Sequence, residues 1–481
     1  MYGVLPAWIV SELTGPYGPD YSWKINQIQH WYETYTLGAS FVSEDDDSEE
    51  NFTPAELRSK KVKRLIDQQA EFMMSLPPEI KVSTDAQTDA EKGNENDLQQ
   101  YINKIFADNF WSGKLLKAAK DCFIGGKVAL KAGIKDGKIS IIFVPADGFI
   151  YETDPDNTDV ITRIILFYCV KDSTDPNEQE WWRQRYYVKD GKCYVSESLH
   201  DGWGALIDGY KIEDIDTGLS KIPVTVILND GLTGSLDGES DVQTIEAEDS
   251  WRNRMRSQNL DTLRKNMDPL VYIMGADPKT FKGLSRKPGA VNDIAADPVM
   301  KGTLPSVGQL ENSFNYSNSF TDTESSITTE MYQDLGIPDV SLAATKGLIT
   351  SGKGLKALYW PLICRCNAKW MTWKPALEWL VRFMVEAAAI YPELKTTYDE
   401  FKETEFDVTV DNQYALPEDE NEERELDLRE VGTSRSIKSY LKKWGGADHK
   451  GMTDDEADAE IEQIVLEKRM FEESYSAELL N

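Results

Sequence analysis

Between residues 240 and 390 the chain alternates polar helical stretches with segments that cannot be helical. The first polar helix begins after Ser240 and continues to about Asn266, and Gln243 lies three residues beyond Ser240. A Ser followed three residues later by Gln is a capping box, in which both side chains satisfy free backbone donors at a helix start. The helix ends at Pro269, and at 1.5 Å per residue it is about 39 Å long.

Proline and glycine constrain the segments on both sides of a second polar helix. Residues 268–310 cannot be helical, because each proline removes a backbone donor and clashes with the preceding turn. The second helix runs from about Ser317 to Leu335 and ends at Gly336 and Pro338. It cannot bury itself alone, because its apolar stripe consists only of Phe320, Ile327, Met331 and Leu335.

A loop of small residues carrying two lysines occupies residues 340–354. From Leu355 to about Ile390 the chain is strongly apolar and aromatic, which predicts a helix about 54 Å long. Pro375 lacks a backbone donor, so a kink is predicted there. The length and the apolar character indicate a central helix against which other elements pack.

The preceding N-terminal half is predicted to mix helices with strands. Helices are expected over residues 54–74 and in the stretch that closes at residue 126. The Asp-Gly pairs at 136–137 and 190–191 supply the positive φ angles of tight β-hairpin turns. The β-rich segments are 127–132, 139–144, 160–170, 181–189, 192–198 and 222–228. The chain is therefore predicted to be of the α+β class.

The charge of the chain narrows the classes of function. The 481 residues carry a formal net charge of −31, with a pI near 4.6. This acidity argues against a protein that grips nucleic acid over its whole surface. A channel through which a polyanion slides is different, because attraction to its wall would slow the movement. Residues 302–345 contain no Lys or Arg, and their acidic residues include Glu324, Glu330 and Asp334.

Targeting signals and cysteine usage suggest a compartment. No stretch has the pattern of a cleavable signal peptide, and none has the uninterrupted apolar run of a membrane span. The five cysteines are odd in number and scattered along the chain, which is typical of a reducing cytoplasm. We expect a cytoplasmic protein.

One segment competes for a catalytic interpretation. Residues 347–353 match the first seven positions of a phosphate-binding loop, but Gly354 stands where Ser or Thr must ligate Mg²⁺. Cys364 and Cys366 lie two apart on a predicted helix and point to different faces. No histidine lies beside a nucleophile motif. The sequence predicts no enzyme, no cofactor and no metal site.

In their order these elements resemble the portal proteins of tailed bacteriophages, of the siphophage type. These are the head-to-tail connectors through which DNA is packaged and ejected, and the resemblance covers nearly the whole chain. It implies a portal fold with a wing at 1–239, a first stem helix at 240–266, a clip at 267–312, a second stem helix at 313–336, a tunnel loop at 337–353, a long kinked spine helix with a wing return at 354–415, and a helical C-terminal crown at 416–481.

The resemblance also implies an assembly and its partners. The family forms a ring, usually a dodecamer, at one capsid vertex, where it serves genome packaging, head-tail joining and genome ejection. Implied partners are other copies of the chain, double-stranded DNA in the channel, the terminase large subunit, the major capsid protein, the scaffold protein and a head-completion adaptor, without a membrane. The location implied is the virion, after assembly in the host cytoplasm.

Three groups of site residues follow from the resemblance. The tunnel loop is expected to face DNA through Leu342, Thr345, Lys346, Leu348, Thr350 and Lys353. The stem is expected to line the channel through Glu324, Glu330 and Asp334. The clip is expected to bind partners through Lys279, Lys282, Arg286 and Lys287.

Two other interpretations stay open at this point. A nucleotide-hydrolysing motor subunit would need a complete phosphate-binding loop and an acidic metal-binding partner, for which residues 406–411 are the best candidate. Another ring-forming head or tail protein would share the acidity and the oligomerisation. It would lack the order of helix, clip, helix, loop and spine.

Overall fold

A computed structural model describes residues 21–41, 53–84, 89–267, 270–277, 294–299, 304–310, 314–339, 352–391, 394, 405–414, 420–446 and 451–478. They belong to two compact units. The first lies within Met1–Asp339 and Tyr359–Ala415, and the second within Val340–Leu358 and Leu416–Asn481.

The first unit mixes helices with antiparallel sheets, which confirms the α+β prediction. Its helices are α1 (Tyr21–Leu37), α2 (Lys61–Met74), α3 (Asp89–Asp108), α4 (Trp111–Gly125), α5 (Asp241–Met267), α6 (Ser317–Asp334) and, from Tyr359 onward, α7 (Gly352–Ile390). Its strands are β1 (Glu79–Thr84), β2 (Lys127–Lys135), β3 (Lys138–Pro145), β4 (Phe149–Thr153), β5 (Ile161–Lys171), β6 (Glu180–Lys189), β7 (Lys192–His200), β8 (Leu206–Asp216), β9 (Val224–Leu228), β10 (Leu270–Met274), β11 (Ser306–Leu310) and β12 (Phe406–Asp411).

Helix α4 shows how the sequence makes a buried helix in this unit. Trp111, Leu115, Ala118 and Cys122 recur every three or four residues and are all buried, which places them on one face of the helix. Gly126 ends the helix with a φ of +78°, and a Cβ there would lie 2.7 Å from the Gly238 carbonyl oxygen. Only glycine fits this left-handed cap, as predicted for the closing residue.

Two sheets flank this helical layer. One has the strand order β3-β2-β9, and the other has the order β4-β5-β6-β7-β8. The turns predicted at 136–137 and 190–191 close the hairpins β2-β3 and β6-β7, and all four turn residues have positive φ. The hairpin predictions are therefore confirmed, whereas strands β4 and β8 were not predicted.

The long helix α7 supplies a central part of the core. Its buried residues recur at helical spacing and include Leu362, Cys366, Trp370, Trp373, Leu377 and Leu380. The helix is continuous through both Pro361 and Pro375. Beyond it the chain returns as β12, which pairs with β1 in antiparallel register from Glu79 with Asp411 to Thr84 with Phe406. The segment considered as a metal-binding strand end is thus one half of a two-stranded sheet.

The second unit, considered by itself, is helical where it is described at the C-terminal end. Its helices are α8 (Glu420–Glu430), α9 (Ile437–Trp444) and α10 (Asp454–Glu478). Ion pairs join α9 to α10, with Lys438 Nζ 2.8 Å from Asp458 Oδ1 and Lys442 Nζ 3.1 Å from Asp454 Oδ1. These exposed pairs add little stability individually.

Candidate functional site in the stem

Helices α5 and α6 form an antiparallel pair. Arg256 Nε lies 3.6 Å from Glu324 Oε1, and the Tyr316 hydroxyl donates to Asn259 Oδ1 at 3.1 Å. Residue numbers in these contacts increase along α5 while they decrease along α6, so the two helices run in opposite directions. On α6, Met331 is fully buried while Glu330 is exposed. In the apolar stripe predicted from the sequence, Met331 and Leu335 are buried and Phe320 and Ile327 are half-buried. The opposite side of α6 is open.

Ser240 caps the first of these helices as predicted, whereas the described hydrogen bonds include none from the Gln243 side chain, so only half of the predicted capping box is present. Its hydroxyl oxygen accepts from the backbone N–H groups of Val242 at 3.1 Å and Gln243 at 3.3 Å, which satisfies two donors that a helix start leaves free. The same hydroxyl donates to the Ile124 carbonyl oxygen at 2.6 Å. The cap therefore also fixes the start of α5 to the end of α4.

One face of α5 holds an extended segment of the chain. The side-chain oxygens of Asn253, Ser257 and Asp261 accept from the backbone N–H groups of Ser59, Leu57 and Ala55 at 3.1, 2.8 and 3.0 Å. Four helical residues rise about 6 Å and two extended residues about 6.6 Å, so the two repeats match. This ladder corrects the helix predicted over 54–74, which begins only at Lys61, because side chains of α5 engage the backbone donors before it.

A buried carboxylate continues the ladder toward the start of α5. Asp249 accepts from the Ala39 backbone N–H at 3.2 Å, the Ser59 hydroxyl at 3.3 Å and the Asn253 amide at 3.1 Å. Burial raises the pKa of Asp249, although the nearby Arg252 charge opposes the shift. The ladder therefore ties the chain on both sides of residues 42–52 to one helix.

The start of α5 is anchored to the spine helix α7 by a buried ionic cluster. Asp241 Oδ1 lies 2.8 Å from Arg365 Nη2, and Asp241 Oδ2 lies 2.8 Å from Lys369 Nζ. Lys369 also donates to the Asn229 side-chain oxygen, just after strand β9. Arg365 Nη1 donates to the Asp334 carbonyl oxygen at 2.9 Å. Both stem helices, the sheet and the spine thus meet in one polar network.

The electrostatics of this cluster favour the ionised form. Burial alone would raise the pKa of Asp241, but the charges and hydrogen bonds of Lys369 and Arg365 outweigh it, so the pKa of Asp241 is lowered. Both Asp241 and Lys369 are almost fully buried. A buried ion pair holds geometry because separating either partner leaves an uncompensated charge in the interior. The cluster is suited to fix the angle between stem and spine.

The structure places the three predicted channel acids differently. Glu324 is half-buried and paired with Arg256, so part of its charge is neutralised within the chain. Glu330 and Asp334 are exposed, and Glu330 accepts from the Ser326 hydroxyl at 3.3 Å. Their orientation toward a channel stays a prediction. Glu330 and Asp334 are free to form a negative surface.

Most of the predicted clip and tunnel-loop residues lie outside the part of the chain that the structure describes. Lys279, Lys282, Arg286, Lys287, Leu342, Thr345, Lys346, Leu348 and Thr350 lie outside the described residues. Lys353 lies in the first turn of α7, so the last two residues of the predicted tunnel loop, 352 and 353, belong to the helix. Strands β10 and β11 pair at the base of the proline-rich excursion, from Leu270 with Leu310 to Met274 with Ser306. This strand pair was not predicted.

The described residues also bear on the alternatives. Gly354, which lacks the hydroxyl that a phosphate-binding loop needs, lies within α7. Across the described ranges, no group of three or more His, Cys, Asp or Glu residues is placed to hold a metal ion. Among those same residues no helix is both long and apolar enough to cross a membrane.

Comparison with known proteins identifies the family. The sequence profile of the family described as "Phage portal protein, SPP1 Gp6-like" matches residues 20–473. No curated protein matches the sequence. A solved structure titled "Neck of empty GTA particle computed with C6 symmetry" is similar at 14% identity and a TM-score of 0.43, covering 80% of this chain and 94% of that chain.

The chain belongs to the phage portal protein family, because the profile covers nearly its whole length. This confirms the resemblance drawn from the order of the elements and the portal function that it implies. Portal proteins are structural channel proteins of the virus particle. Nothing found supports the motor-subunit alternative.

Proposed function

We propose that this portal protein closes into a ring, a dodecamer as is usual in its family, with helices α5 and α6 around a DNA channel. The antiparallel stem pair carries the proposal, because each helix leaves one side uncovered in the single chain. On α5 the Trp251 side chain is 58% exposed, and α6 is polar apart from its stripe. Helices of this kind need neighbours, and a closed ring supplies them without leaving an interface unpaired.

The acidic side of α6 would form part of the channel wall. Glu330 and Asp334 are exposed, and α6 contains no Lys or Arg. Like charges on a wall repel the phosphates of DNA, so the duplex would pass without adhering. Lys346 in the tunnel loop and Lys353 in the first turn of α7 would supply weak, salt-screened contacts with the phosphates.

The proline-rich excursion between β10 and β11 would bind the partners of the portal. It is held at its base by a strand pair between two stiff helices, and irregular segments on rigid scaffolds commonly carry recognition. Its basic residues Lys279, Lys282, Arg286 and Lys287 would contact the terminase large subunit and later a head-completion adaptor. The β-rich wing would meet the major capsid protein and the scaffold protein.

The ring proposal predicts the appearance of the purified protein. Averaged electron images are expected to show rings with a central hole, because the uncovered sides of α5 and α6 are then paired between subunits. Size-exclusion chromatography with light scattering gives the subunit number from the mass of the same sample. A globular monomer at every concentration would contradict the proposal.

The proposed roles of the loop and the clip predict different defects in a DNA packaging assay. Replacing Lys346 and Lys353 with Ala is expected to leave terminase binding intact and to reduce packaging or DNA retention by roughly threefold, because each exposed contact is weak. Replacing the four basic clip residues with Ala is expected to abolish terminase binding while rings still form. Both variants shorten basic side chains to Ala, so each controls for a general effect of removing positive residues. Normal packaging and retention of the lysine variant at low and moderate salt would remove the loop's electrostatic role.

A further inference from the structure

A cavity of about 580 Å³ lies between helix α4, the edge strand β3 of the three-stranded sheet, and strands β5 and β6 of the five-stranded sheet. Much of its wall is apolar and aromatic, with Phe143, Val144, Phe167, Trp181 and Trp182 among its lining residues. Its volume is in the range of pockets that bind small molecules. None of its lining residues belongs to the segments named as stem, clip or tunnel loop.

Two carboxyl groups interrupt this apolar wall. Asp147 is 5% exposed, and its Oδ1 atom is buried without a hydrogen-bond partner in the described part of the chain. Asp121 lines the same cavity, and its Oδ1 accepts from the Tyr32 hydroxyl at 3.1 Å. A buried carboxylate oxygen without a donor is unfavourable, so the cavity presents an unmet demand for a donor or a positive charge.

The basic residues around the cavity leave this demand unmet. Lys114 Nζ donates to the Ile141 carbonyl oxygen at 2.5 Å, and Lys131 Nζ donates to the Gln184 side chain. Lys117 is exposed. Within the described residues, no ion pair joins a Lys or Arg to Asp121 or Asp147.

We propose that this cavity binds a small organic cation, with an ammonium or guanidinium group beside Asp147 and Asp121 and an apolar body against Trp181, Trp182 and Phe143. The charged group would offset the negative charge of the Asp147 carboxylate, whose buried Oδ1 atom receives no hydrogen bond from the described part of the chain. The aromatic walls would desolvate and stack on the apolar body. A single Lys or Arg side chain from a partner would leave most of the volume empty, which favours a free molecule.

A bare metal ion fits this cavity poorly. Hard divalent cations take six or more oxygen ligands, whereas the cavity offers two carboxyl groups amid apolar walls. The proposed ligand therefore has both a cationic end and a hydrocarbon part. Binding to this cavity can be tested independently of the proposed channel, since the lining contains no residue of the stem helices.

The test uses 2-phenylethylammonium chloride as the probe and isothermal titration of the full-length protein at neutral pH and low salt. Saturable binding is expected, with 2-phenylethanol, the neutral analogue, binding roughly tenfold more weakly or worse. Asp147→Asn keeps the shape and removes the charge, so it is expected to weaken the ammonium probe by a similar factor. Asp159→Asn, at an exposed turn, makes the same change away from the cavity and is expected to bind like the wild type.

Acid should weaken the binding in the same way as Asp147→Asn. Burial raises the pKa of both Asp121 and Asp147 to about 6, so affinity for the probe is expected to fall as the pH drops below neutral. Burial lowers the pKa of Lys131 on the cavity wall to about 8, so the titration is kept at or below neutral pH. The other charged or titratable groups nearby are Lys114, Lys117, Lys131, Tyr168 and Cys169 on the cavity wall, and His30, Tyr32 and Glu33 on the adjoining face of α1.

A second variant tests whether the probe binds inside the cavity, independently of the charge of Asp147. Val144→Phe adds bulk to the cavity wall without altering its charge, and it is expected to abolish binding of both probes while the thermal midpoint shows a folded protein. The proposal is overturned if Asp147→Asn binds the ammonium probe as tightly as the wild type, or if the neutral probe binds equally well. Absence of saturable binding to the wild type also overturns it.

Discussion

Replacing Lys369 with Met is expected to lower the free energy of unfolding by about 3–5 kcal/mol. Lys369 Nζ lies 2.8 Å from Asp241 Oδ2, and both side chains are 3% exposed. Without the ammonium group, the Asp241 carboxylate keeps only the partly exposed Arg365 as an ionic partner. Urea unfolding followed by tryptophan fluorescence measures the loss, since Trp370 and Trp373 are buried on the same helix.

A surface pair of the same geometry is the control. Lys192 Nζ also lies 2.8 Å from an aspartate oxygen, that of Asp216, but both side chains are exposed. Lys192→Met is expected to leave the unfolding midpoint unchanged within error, because solvent screens the pair. The double variant Asp241→Leu, Lys369→Met is expected to recover most of the loss, since apolar residues can replace a buried pair. Equal effects of Lys369→Met and Lys192→Met would contradict a structural role for the buried cluster.

The pH dependence of this effect has a defined sign. The pKa of Asp241 in the folded chain is below its usual value of 3.8. Its stabilising contribution is therefore complete above that value and is lost only as the pH falls further, through the folded pKa. In Lys369→Met only Arg365 opposes the burial of Asp241, so the pKa of Asp241 rises in the variant and the destabilisation is expected to become smaller as the pH falls.

Local signals predicted much of this fold correctly. Ser240 caps α5, Gly336 ends the second stem helix with a φ of +65°, and the Asp-Gly turns close two hairpins. Each depends on a backbone conformation or a hydrogen bond within a few residues of the signal, so the sequence alone specifies it. The order of these elements then led to the portal family, which the match over residues 20–473 confirms.

Contacts between distant residues account for what the sequence did not predict. Strand β12 pairs with β1, and Glu79 lies opposite Asp411. No local sequence pattern identifies a partner strand more than 300 residues away. Residues 55–59 are not helical because the backbone N–H groups of Ala55, Leu57 and Ser59 donate to side chains of α5. Asp249, Asn253, Ser257 and Asp261 recur at every fourth position on one face of α5, and this spacing is the signal that could have indicated the ladder.

The candidate site was predicted only in outline. Glu330 and Asp334 are exposed on α6 as a channel-lining role requires, whereas Glu324 pairs with Arg256. The anchoring cluster of Asp241, Arg365 and Lys369 was not predicted, because a single aspartate at a helix start is usually just a favourable charge near the helix dipole. Only the packing of α5 against α7 converts it into a buried ion pair.

The second large effect is expected for Asp147→Asn, and it should depend on pH. Burial, and next the charge of Asp121, raise the pKa of Asp147 from 3.8 to about 6. The folded chain therefore holds this proton over a range of pH in which the unfolded chain has lost it, so stability falls as the pH rises through that range. A rise of the pKa from 3.8 to about 6 corresponds to roughly 3 kcal/mol. Asn does not titrate, so the variant should gain about that much relative to the wild type between acidic and neutral pH.

Comparing two pH values separates this effect from other consequences of the substitution. A buried amide has its own unsatisfied groups, which cost about 1–3 kcal/mol, but this penalty is the same at both pH values and cancels in the difference. Urea unfolding of wild type, Asp147→Asn and the exposed control Asp159→Asn at about pH 4 and about pH 7 gives the three differences. A stability difference between wild type and Asp147→Asn that does not change with pH would show that the Asp147 carboxylate is not destabilised by its burial. If Asp147→Asn gains stability toward neutral pH as expected, the ionised Asp147 carboxylate of the wild type is not fully compensated by the surrounding residues. A bound cation would then lower the free energy of the folded protein.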